Sequence, residues 1–328
     1  MPTSCASRGK SPERDASLAV VDLSPGGPIR LELLGPRTRR ALVPYLLLLP
    51  AGLLLGAIIL VPLSRAVGLA FQDFVLTRMH QARFVGLDNF RRAFADQAFW
   101  MSLARSAYWV AGNLALQLAL GLAFALVLNA RFPLRGLVRG LILIPWVTPS
   151  AVTAMMWIFM LDGQSGIVND LLVRIGLLGT AFPFLSRPGT AMPSVILANV
   201  WFGVPFFAVM LLAALQSIPD ELYEAARVDG ASTIQAFRYI TLSLLLPTIV
   251  ITSLLRTIWL SQYIETIFLM TGGGPAERTT TLPVYTFLTI RAELDFGYAS
   301  AMALVLSTVL MAIAALYLVL LRRLEVEL

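Results

Sequence analysis

One short segment carries side chains whose types could bind a polar ligand: Arg256, Trp259, Gln262, Tyr263 and Glu265. Their spacing is helical, so they would share one face of a helix, with Glu265 beside Gln262. An aromatic ring can cover the apolar face of a pyranose, while amide and carboxylate groups replace the hydration of its hydroxyls. The segment therefore predicts the lining of a path for a sugar-like solute, formed by Trp259, Gln262, Tyr263 and Glu265.

The same segment lies in an apolar stretch, residues 244–270, that is long enough to cross a membrane. A charge at the bilayer centre costs about 2.5–3.5 kcal/mol on insertion scales, so Arg256 and Glu265 should face protein or water. The alternative is contact between helices, because Gln and Glu also hydrogen-bond there without touching a solute. Five weaker candidates are Asn113, Gln117, Asn199, Trp201 and Phe206. For these, packing or helix contact is the favoured interpretation.

Membrane-spanning helices must position these candidates, as the composition indicates. The chain is 58% hydrophobic and only 13% charged, which lies outside the range of ordinary soluble domains. Six segments reach the length of about 20 residues that a helix needs to cross the hydrocarbon. They are residues 42–70, 103–130, 136–161, 191–216, 244–270 and 298–321. The sequence therefore predicts an all-α membrane protein with six transmembrane helices, the third of them interrupted by Pro145 and Pro149.

The arginines predict how the spans are oriented. Those beside the first span, in the second connection and after the last span would lie on one side of the membrane. They are Arg37, Arg39, Arg40, Arg131, Arg135, Arg139, Arg322 and Arg323. The positive-inside rule then places both termini in the cytoplasm. The first external connection also holds arginines, but it is longer and mixed with acids, and long loops constrain orientation less.

Residues 1–40 differ from the rest, because they are rich in Ser, Pro, Gly and Arg and lack an apolar core of signal-peptide length. This composition predicts a disordered cytoplasmic tail before a membrane domain at 41–328. The single cysteine, Cys5, lies in the tail and excludes a disulfide within the chain. The net charge of +6 does not indicate nucleic acid, since no basic stripe with interleaved aromatics is present.

Residues 217–243 are charged although the flanking segments are apolar. Ser217 followed by Pro219 and Asp220 predicts a helix start with a capping box. A charged helix between two spans cannot lie in hydrocarbon, so on the predicted topology it projects into the cytoplasm, where it can dock on another protein.

A second helix is predicted to follow directly. Gly230 suits the position after a helix end, where a left-handed residue avoids a Cβ clash. Ser232 with Gln235 repeats the capping-box pattern and predicts a helix that runs towards Pro247.

The pattern Glu-Ala-Ala, three residues, Gly, nine residues, Ile-x-Leu resembles the coupling motif of permease subunits in bacterial ATP-binding-cassette (ABC) importers. It covers Glu224, Ala225, Ala226, Gly230, Ile240 and Leu242. The family usually continues with Pro, where this chain has Ser243 and delays its proline to Pro247. The resemblance implies that a coupling loop contacts an ATPase subunit through Glu224, Ala225, Ala226, Asp229, Gly230 and Ala231.

Four further segments are similar to sugar-importing permeases: residues 85–90, 143–146, 271–275 and 281–285. The Gly-Gly-Gly-Pro run at 272–275, expected to be a flexible turn, resembles the larger permease of maltose-type systems, which works as one half of a pair. The resemblance covers residues 41–322 and implies a heterodimer with a second permease. It also implies two cytoplasmic ATPase subunits, an extracytoplasmic solute-binding protein, the bacterial inner membrane as location, and transport by alternating access.

The remaining motifs exclude other classes. The chain's only lysine, Lys10, follows no Gly-rich phosphate loop, and one His with one Cys cannot form a metal cluster. The chain is therefore expected to be a transport subunit and not an enzyme, with ATP and Mg²⁺ bound by its partners. The family often has Asn, Phe and Asp where this chain has Gln262, Ile264 and Glu265. The resemblance therefore does not predict which sugar this chain prefers. The rivals are an importer permease for glycerol phosphate or a polyol and, less favoured, an autonomous secondary carrier, whose internal repeats the sequence lacks.

Overall fold

The computed structural model describes residues 36–327. Most of the predicted tail, including Cys5, lies outside these described residues. The chain forms two compact units, which divide after Val61. The first contains the beginning of α1 (Pro36–Ala70), and the contacts and sites described below belong to the second.

The second unit is helical apart from one small strand pair. The strands β1 (Gln72–Asp73) and β2 (Arg83–Phe84) are antiparallel, with Gln72 opposite Phe84, and a 3₁₀ segment (Leu76–Gln81) joins them. The helices are α2 (Asp88–Ala95), α3 (Gln97–Asn129), α4 (Arg135–Leu141), α5 (Ile144–Val147), α6 (Ser150–Met160), α7 (Ile167–Arg174), α8 (Ala191–Gln216), α9 (Asp220–Val228), α10 (Thr233–Ala236), α11 (Leu242–Ser261), α12 (Glu265–Thr271), α13 (Leu282–Leu288) and α14 (Phe296–Glu327). Two π-helical segments, Phe237–Thr241 and Thr289–Glu293, follow α10 and α13.

Within the described residues, five helices are long and apolar enough to cross a membrane, or six when one bent pair counts as a single span. The prediction of an all-α membrane fold is therefore confirmed. The bent pair is the predicted third span, and its two parts meet at 94° between Val147 and Ser150. Pro149 lies at this bend, where its ring removes a backbone donor and restricts the residue before it.

The predicted fifth span, 244–270, is not one continuous helix. The α11 helix ends at Ser261 and α12 begins at Glu265. Between them Gln262 (φ −108°, ψ 8°) leaves the helical region of backbone conformation. The Leu260 carbonyl accepts a hydrogen bond from the Trp109 indole at 3.0 Å, so a side chain of α3 satisfies a carbonyl at this break.

The helices α3 and α8 pack in parallel and form the centre of the second unit. Contacts pair Gly112 with Ile196 and Gly121 with Phe207, so both chains advance in the same direction. A Cβ on Gly121 would overlap Phe207 and its backbone, so only glycine permits this approach. The fully buried Trp109, Phe207 and Leu211 belong to the two apolar clusters around this contact.

A polar cluster links the beginning of α3 to α2, α13 and α14. One Asp96 carboxylate oxygen caps α3 by accepting the Ala98 N–H at 2.8 Å, and the other accepts both tyrosine hydroxyls, Tyr285 and Tyr298, at 2.7 Å. Burial opposes ionisation of Asp96, but the hydroxyl and backbone donors outweigh it, so the pKa of this carboxyl lies below its usual value.

Candidate functional site

The first predicted helix of the coupling loop, residues 217–243, is α9, but it does not start with the predicted capping box. Ser217 belongs to the end of α8, where its hydroxyl donates to the Ala214 carbonyl at 2.8 Å. That prediction was wrong because the last turn of α8 leaves carbonyls that need donors, and Ser217 is within reach of one. The residue before α9 is Pro219, without a side-chain cap, and Asp220 and Glu221 place negative charge in the first turn.

The end of α9 has the geometry predicted for it. Gly230 has φ +79°, and its N–H donates to the Arg227 carbonyl at 3.1 Å. The Ala231 N–H donates to the Ala226 carbonyl at 2.9 Å, and this pair of bonds forms a Schellman motif. The predicted capping box of Ser232 and Gln235 is confirmed, with bonds of 3.3 Å and 2.7 Å in the two directions. The Schellman motif and the capping box, which are adjacent in sequence, together form a tight turn between α9 and α10.

The second helix does not stop near Pro247. It continues from α10 through the π-helical segment into α11, and Pro247 lies inside α11. A helix that ended here would expose several backbone polar groups to hydrocarbon. A helix that continues through Pro247 lacks only the backbone N–H of that proline, which costs less free energy.

The contact that holds α9 in place was missed by the sequence analysis. The hydroxyls of Tyr223 and Thr241 lie 2.9 Å apart, and Thr241 is buried. Tyr223 and Ala226, one turn apart on α9, are half-buried, whereas Glu224, Ala225 and Asp229 are exposed. The i, i+3 spacing of Tyr223 and Ala226 is a sequence signal that could have identified this face of α9. The exposed face of α9 is thus left open to water.

The predicted polar arc, which consists of Trp259, Gln262, Tyr263 and Glu265, is divided by the break after Ser261. Trp259 is 39% exposed, and Gln262 and Glu265 are exposed as well. The prediction of a single helical face is wrong, because Gln262 and Tyr263 lie in the break and Glu265 begins the next helix. Glu265 accepts a hydrogen bond from the Ser150 hydroxyl at the start of α6. The exposed members therefore come from three consecutive pieces of chain.

Tyr263 differs from the other members of the arc. Its ring is stacked on Trp109, with centroids 6.3 Å apart and planes 12° from parallel. Its hydroxyl accepts a hydrogen bond from Thr266 at 3.1 Å. The side chain is half-buried against the core cluster. Tyr263 therefore packs the inside of the break, and Trp259 carries the accessible aromatic surface.

Trp259 belongs to an aromatic cluster of three rings from three helices. Its centroid lies 5.2 Å from Phe206 in α8 and 6.4 Å from Trp146 in α5, and Trp146 lies 5.0 Å from Phe206. Trp146 lies in a segment similar to sugar permeases, but the sequence did not predict it to bind a ligand. The three rings form one continuous aromatic surface, of which Trp259 and half-buried Trp146 are accessible.

Arg256 lies apart from the arc, in a buried polar network. Its Nε donates to the side-chain amide oxygen Oε1 of Gln117 at 2.6 Å, and the Gln117 side chain donates to the Asn199 backbone carbonyl at 3.0 Å. Asn199 in turn donates to Asn113 at 2.7 Å. All four residues are at most 6% exposed. The favoured interpretation of Asn113, Gln117 and Asn199 as helix contacts is confirmed, and a Cβ on Gly203 would overlap both Gln117 and Arg256.

The other weaker candidates also pack against neighbours. Trp201 makes an edge contact with Trp157 at 6.4 Å, and Phe206 is 7% exposed.

The Gly-Gly-Gly-Pro run forms a hydrogen-bonded turn after α12. Gly272 and Gly273 have φ of +62° and +92°. The Thr279 and Thr280 hydroxyls donate to the carbonyls of Gly274 and Gly273 at 2.8 Å and 2.9 Å. The run was expected to be a flexible turn, but the hydroxyls of two buried threonines hold it by hydrogen bonds.

The chain is similar to known proteins in family, sequence and structure. The family described as "Binding-protein-dependent transport system inner membrane component" matches residues 117–326. The sulfoquinovosyl glycerol transport system permease protein of Agrobacterium fabrum is 37% identical over 281 residues, 86% of this chain and 91% of that relative. The trehalose/maltose transport system permease protein of Thermococcus litoralis is 34% identical over 280 residues, 85% of this chain and 94% of that relative.

A solved structure shares the fold as well. The crystal structure of a bacterial ABC transporter involved in the import of the acidic polysaccharide alginate contains a chain that superposes with a TM-score of 0.75 at 25% identity. The match covers 88% of this chain and 97% of that chain.

Proposed function

The chain belongs to the family of binding-protein-dependent transport system inner membrane components, and we propose that it is the permease subunit through which a sugar or sugar-like solute enters the cytoplasm. The observation that carries the proposal is the water-exposed helix α9, which ends in a Schellman motif at Gly230 and is joined to the following span by the Tyr223–Thr241 hydroxyl contact. Such a helix can pass a force from a docked ATPase into α11.

The proposed coupling surface is the outward face of α9 with its turn. Glu224, Ala225 and Asp229 would contact a groove of the ATPase subunit, and the small Ala225 side chain allows close approach. Gly230 and Ala231 shape the turn, and half-buried Ala226 lies on the side of Tyr223. Closure of two ATPase subunits on ATP and Mg²⁺ would then drive alternating access, with no ATPase site in this chain.

The proposed solute path is lined by Trp259, Gln262 and Glu265, with Tyr263 supporting it from the core side. The aromatic surface of Trp259 and Trp146 suits the apolar face of a pyranose ring, and exposed amide and carboxylate groups suit its hydroxyls. Two similar proteins are named as permeases for a sulfoquinovosyl glycerol and for trehalose and maltose, which supports a glycoside as the solute.

The proposed assembly follows from the family description, which names dependence on a binding protein. A second permease would complete a heterodimer, and both termini would lie in the cytoplasm beside the two ATPase subunits. The arginines at Arg131–Arg139 and the coupling loop lie at the same ends of the parallel helices α3 and α8, as that orientation requires.

The decisive test is uptake by proteoliposomes that contain both permeases and the ATPase, with the binding protein supplied outside. We expect ATP-dependent uptake of a radiolabelled disaccharide or glycosyl glycerol. Uptake of glycerol phosphate or a linear polyol in preference would assign the rival solute class. Uptake driven by an ion gradient through this chain alone would contradict the proposal.

A further inference from the structure

An apolar cleft opens beside α3, α8 and the bent α5–α6 pair, away from the buried polar network. Its volume is about 350 Å³, and Leu120, Phe124, Pro145, Trp157, Trp201 and Val204 are among its lining residues. Among the described residues, no charged side chain lines it. The cleft exists because the 94° bend of the third span carries α6 away from the direction of α4.

Basic side chains lie next to one end of this cleft. Ile142, a lining residue, follows Arg139 by three positions, so the two lie about one helical turn apart. The Arg139 guanidinium donates to the carbonyl of Leu128 at 3.0 Å, one turn of α3 from Phe124. Arg135 lies one turn before Arg139 in α4 and is exposed. The cleft therefore runs from a basic end into the apolar interior.

These arginines have no acidic partner in the part of the chain that the structure describes. The ion pairs found there involve Asp73, Asp88, Asp170, Glu293 and Asp295, all outside this region. The Arg139 Nε is also buried without a hydrogen-bond acceptor. An anionic group beside Arg135 and Arg139 would supply the missing charge, bound by the other guanidinium donors because this Nε is out of its reach.

We propose that this cleft binds an anionic phospholipid, with its headgroup phosphate on Arg135 and Arg139 and one acyl chain along Phe124 towards Trp157. Along α8 the lining extends from Pro205 to Leu197, which at 1.5 Å per residue corresponds to about 12 Å, the length of roughly half an acyl chain. Basic pockets between transmembrane helices on the cytoplasmic side are suited to anionic lipid headgroups. This lipid site does not depend on which solute is transported.

The test measures lipid retained by the intact four-subunit complex. The complex is delipidated in neutral detergent and incubated with phosphatidylglycerol or phosphatidylcholine. The mass of bound lipid is then measured by native mass spectrometry. We expect the wild type to retain phosphatidylglycerol in preference. We expect Arg135→Gln to lower its apparent affinity about fivefold and the double variant with Arg139→Gln roughly 25-fold, because about 1 kcal/mol per basic residue converts to these factors.

Two matched controls separate the site from general attraction to the surface. Arg322→Gln with Arg323→Gln removes two exposed charges at the end of α14, outside the cleft, and should leave retention unchanged. Leu120→Trp fills the cleft from its exposed edge and should abolish retention, whereas Leu126→Trp, at an exposed position on another face of α3, should not. Because positions 135, 120 and 126 are exposed, these variants keep the folded core unchanged.

Three results would overturn the proposal. The first is equal retention of the two lipids by the wild type, or none. The second is an equal loss in the Arg322/Arg323 control, which would make the attraction non-specific. In the third, a photoreactive phenylalanine analogue at position 124 crosslinks to the second permease, which would show that a protein covers the cleft. Crosslinking to phosphatidylglycerol is the result we expect.

Discussion

The coupling loop and the polar arc lie at opposite ends of the same helix, α11, and different kinds of contact hold them. The turn between α9 and α10 is closed by bonds between residues at most five positions apart, such as Ala231 to Ala226. The arc depends on partners far away in sequence, such as Ser150 for Glu265 and Trp109 for Tyr263. The first region can be altered by local strain, and the second by the loss of one distant partner.

The largest effect is expected from strain in the coupling turn. Gly230→Val places a β-branched residue at φ +79° and should abolish solute-stimulated ATP hydrolysis and uptake, because the turn must rearrange. The measurement is coupled ATPase activity and uptake in proteoliposomes.

The chain offers a matched control for this variant. Gly176 has φ +76°, and at both Gly176 and Gly230 an added Cβ would have no heavy atom within 4 Å. Gly176→Val therefore imposes similar backbone strain outside the coupling loop. Unchanged coupling in Gly230→Val, or equal damage from Gly176→Val, would contradict the special role of the coupling turn.

The second largest effect concerns the buried network behind the arc. Arg256→Met leaves the side-chain oxygen Oε1 of Gln117 without its donor in a fully buried site, which costs about 1–3 kcal/mol. We expect a lower melting temperature and reduced assembly in size-exclusion chromatography. Arg322→Met, at an exposed position, should have neither effect. A complex of normal stability that failed only in uptake would place Arg256 in the solute path instead.

The exposed members of the arc should affect transport without affecting assembly. Gln262→Ala and Glu265→Ala would each leave solute hydroxyls unpaired, at about 1–3 kcal/mol, which corresponds to roughly 5- to 150-fold in uptake efficiency. Trp259→Ala should weaken uptake of a pyranose more than that of a flexible polyol. Tyr263→Ala, which removes the stacking on Trp109, should instead destabilise the complex.

If both Gln262→Ala and Glu265→Ala assemble and transport normally, the arc serves helix contacts and the proposed path is wrong. The same conclusion follows if either variant prevents assembly.

Asp96 combines a local and a distant role in one carboxylate, and the stability that it contributes should be lost in acid. The pKa of Asp96 is lowered in the folded protein, so its ionised form contributes stability above the ordinary value of 3.8, and this contribution is lost as the pH falls through the folded value. Asp96→Asn should flatten the acid limb of a thermal-unfolding curve measured against pH. An acid limb identical to that of the wild type would exclude Asp96 as its source.

The smallest effect is expected from a single helix cap. Ser232→Ala removes the confirmed capping box and should cost about 1 kcal/mol. Ser217→Ala, at the position where a capping box was predicted but is absent, should cost less, because its hydroxyl only donates to a carbonyl at the end of α8. Circular dichroism of thermal unfolding would compare the two, and a larger loss in Ser217→Ala would reverse the assignment.

The sequence predicted the features that depend on near neighbours. Five of the six predicted spans overlap single candidate helices, although the helix of the fifth span ends at Ser261, and the third span corresponds to the bent pair. The left-handed Gly230 and the Ser232–Gln235 box were identified from residue types a few positions apart. Ser217 was misassigned because one hydroxyl could serve either of two helix ends. The choice depended on how α8 ends in space.

The amino-acid sequence by itself determined the membrane-spanning class, the family and the turn of the coupling loop, because hydrophobic length and capping are local properties. The tertiary structure alone decided that α11 breaks at Gln262, that Arg256 is buried while Trp259 is accessible, and that Tyr223 joins α9 to Thr241. These outcomes depend on partners between 18 and 151 positions away, such as Thr241 for Tyr223 and Trp109 for Leu260. Periodicity along one helix does not contain such contacts, since it records only which residues share a face.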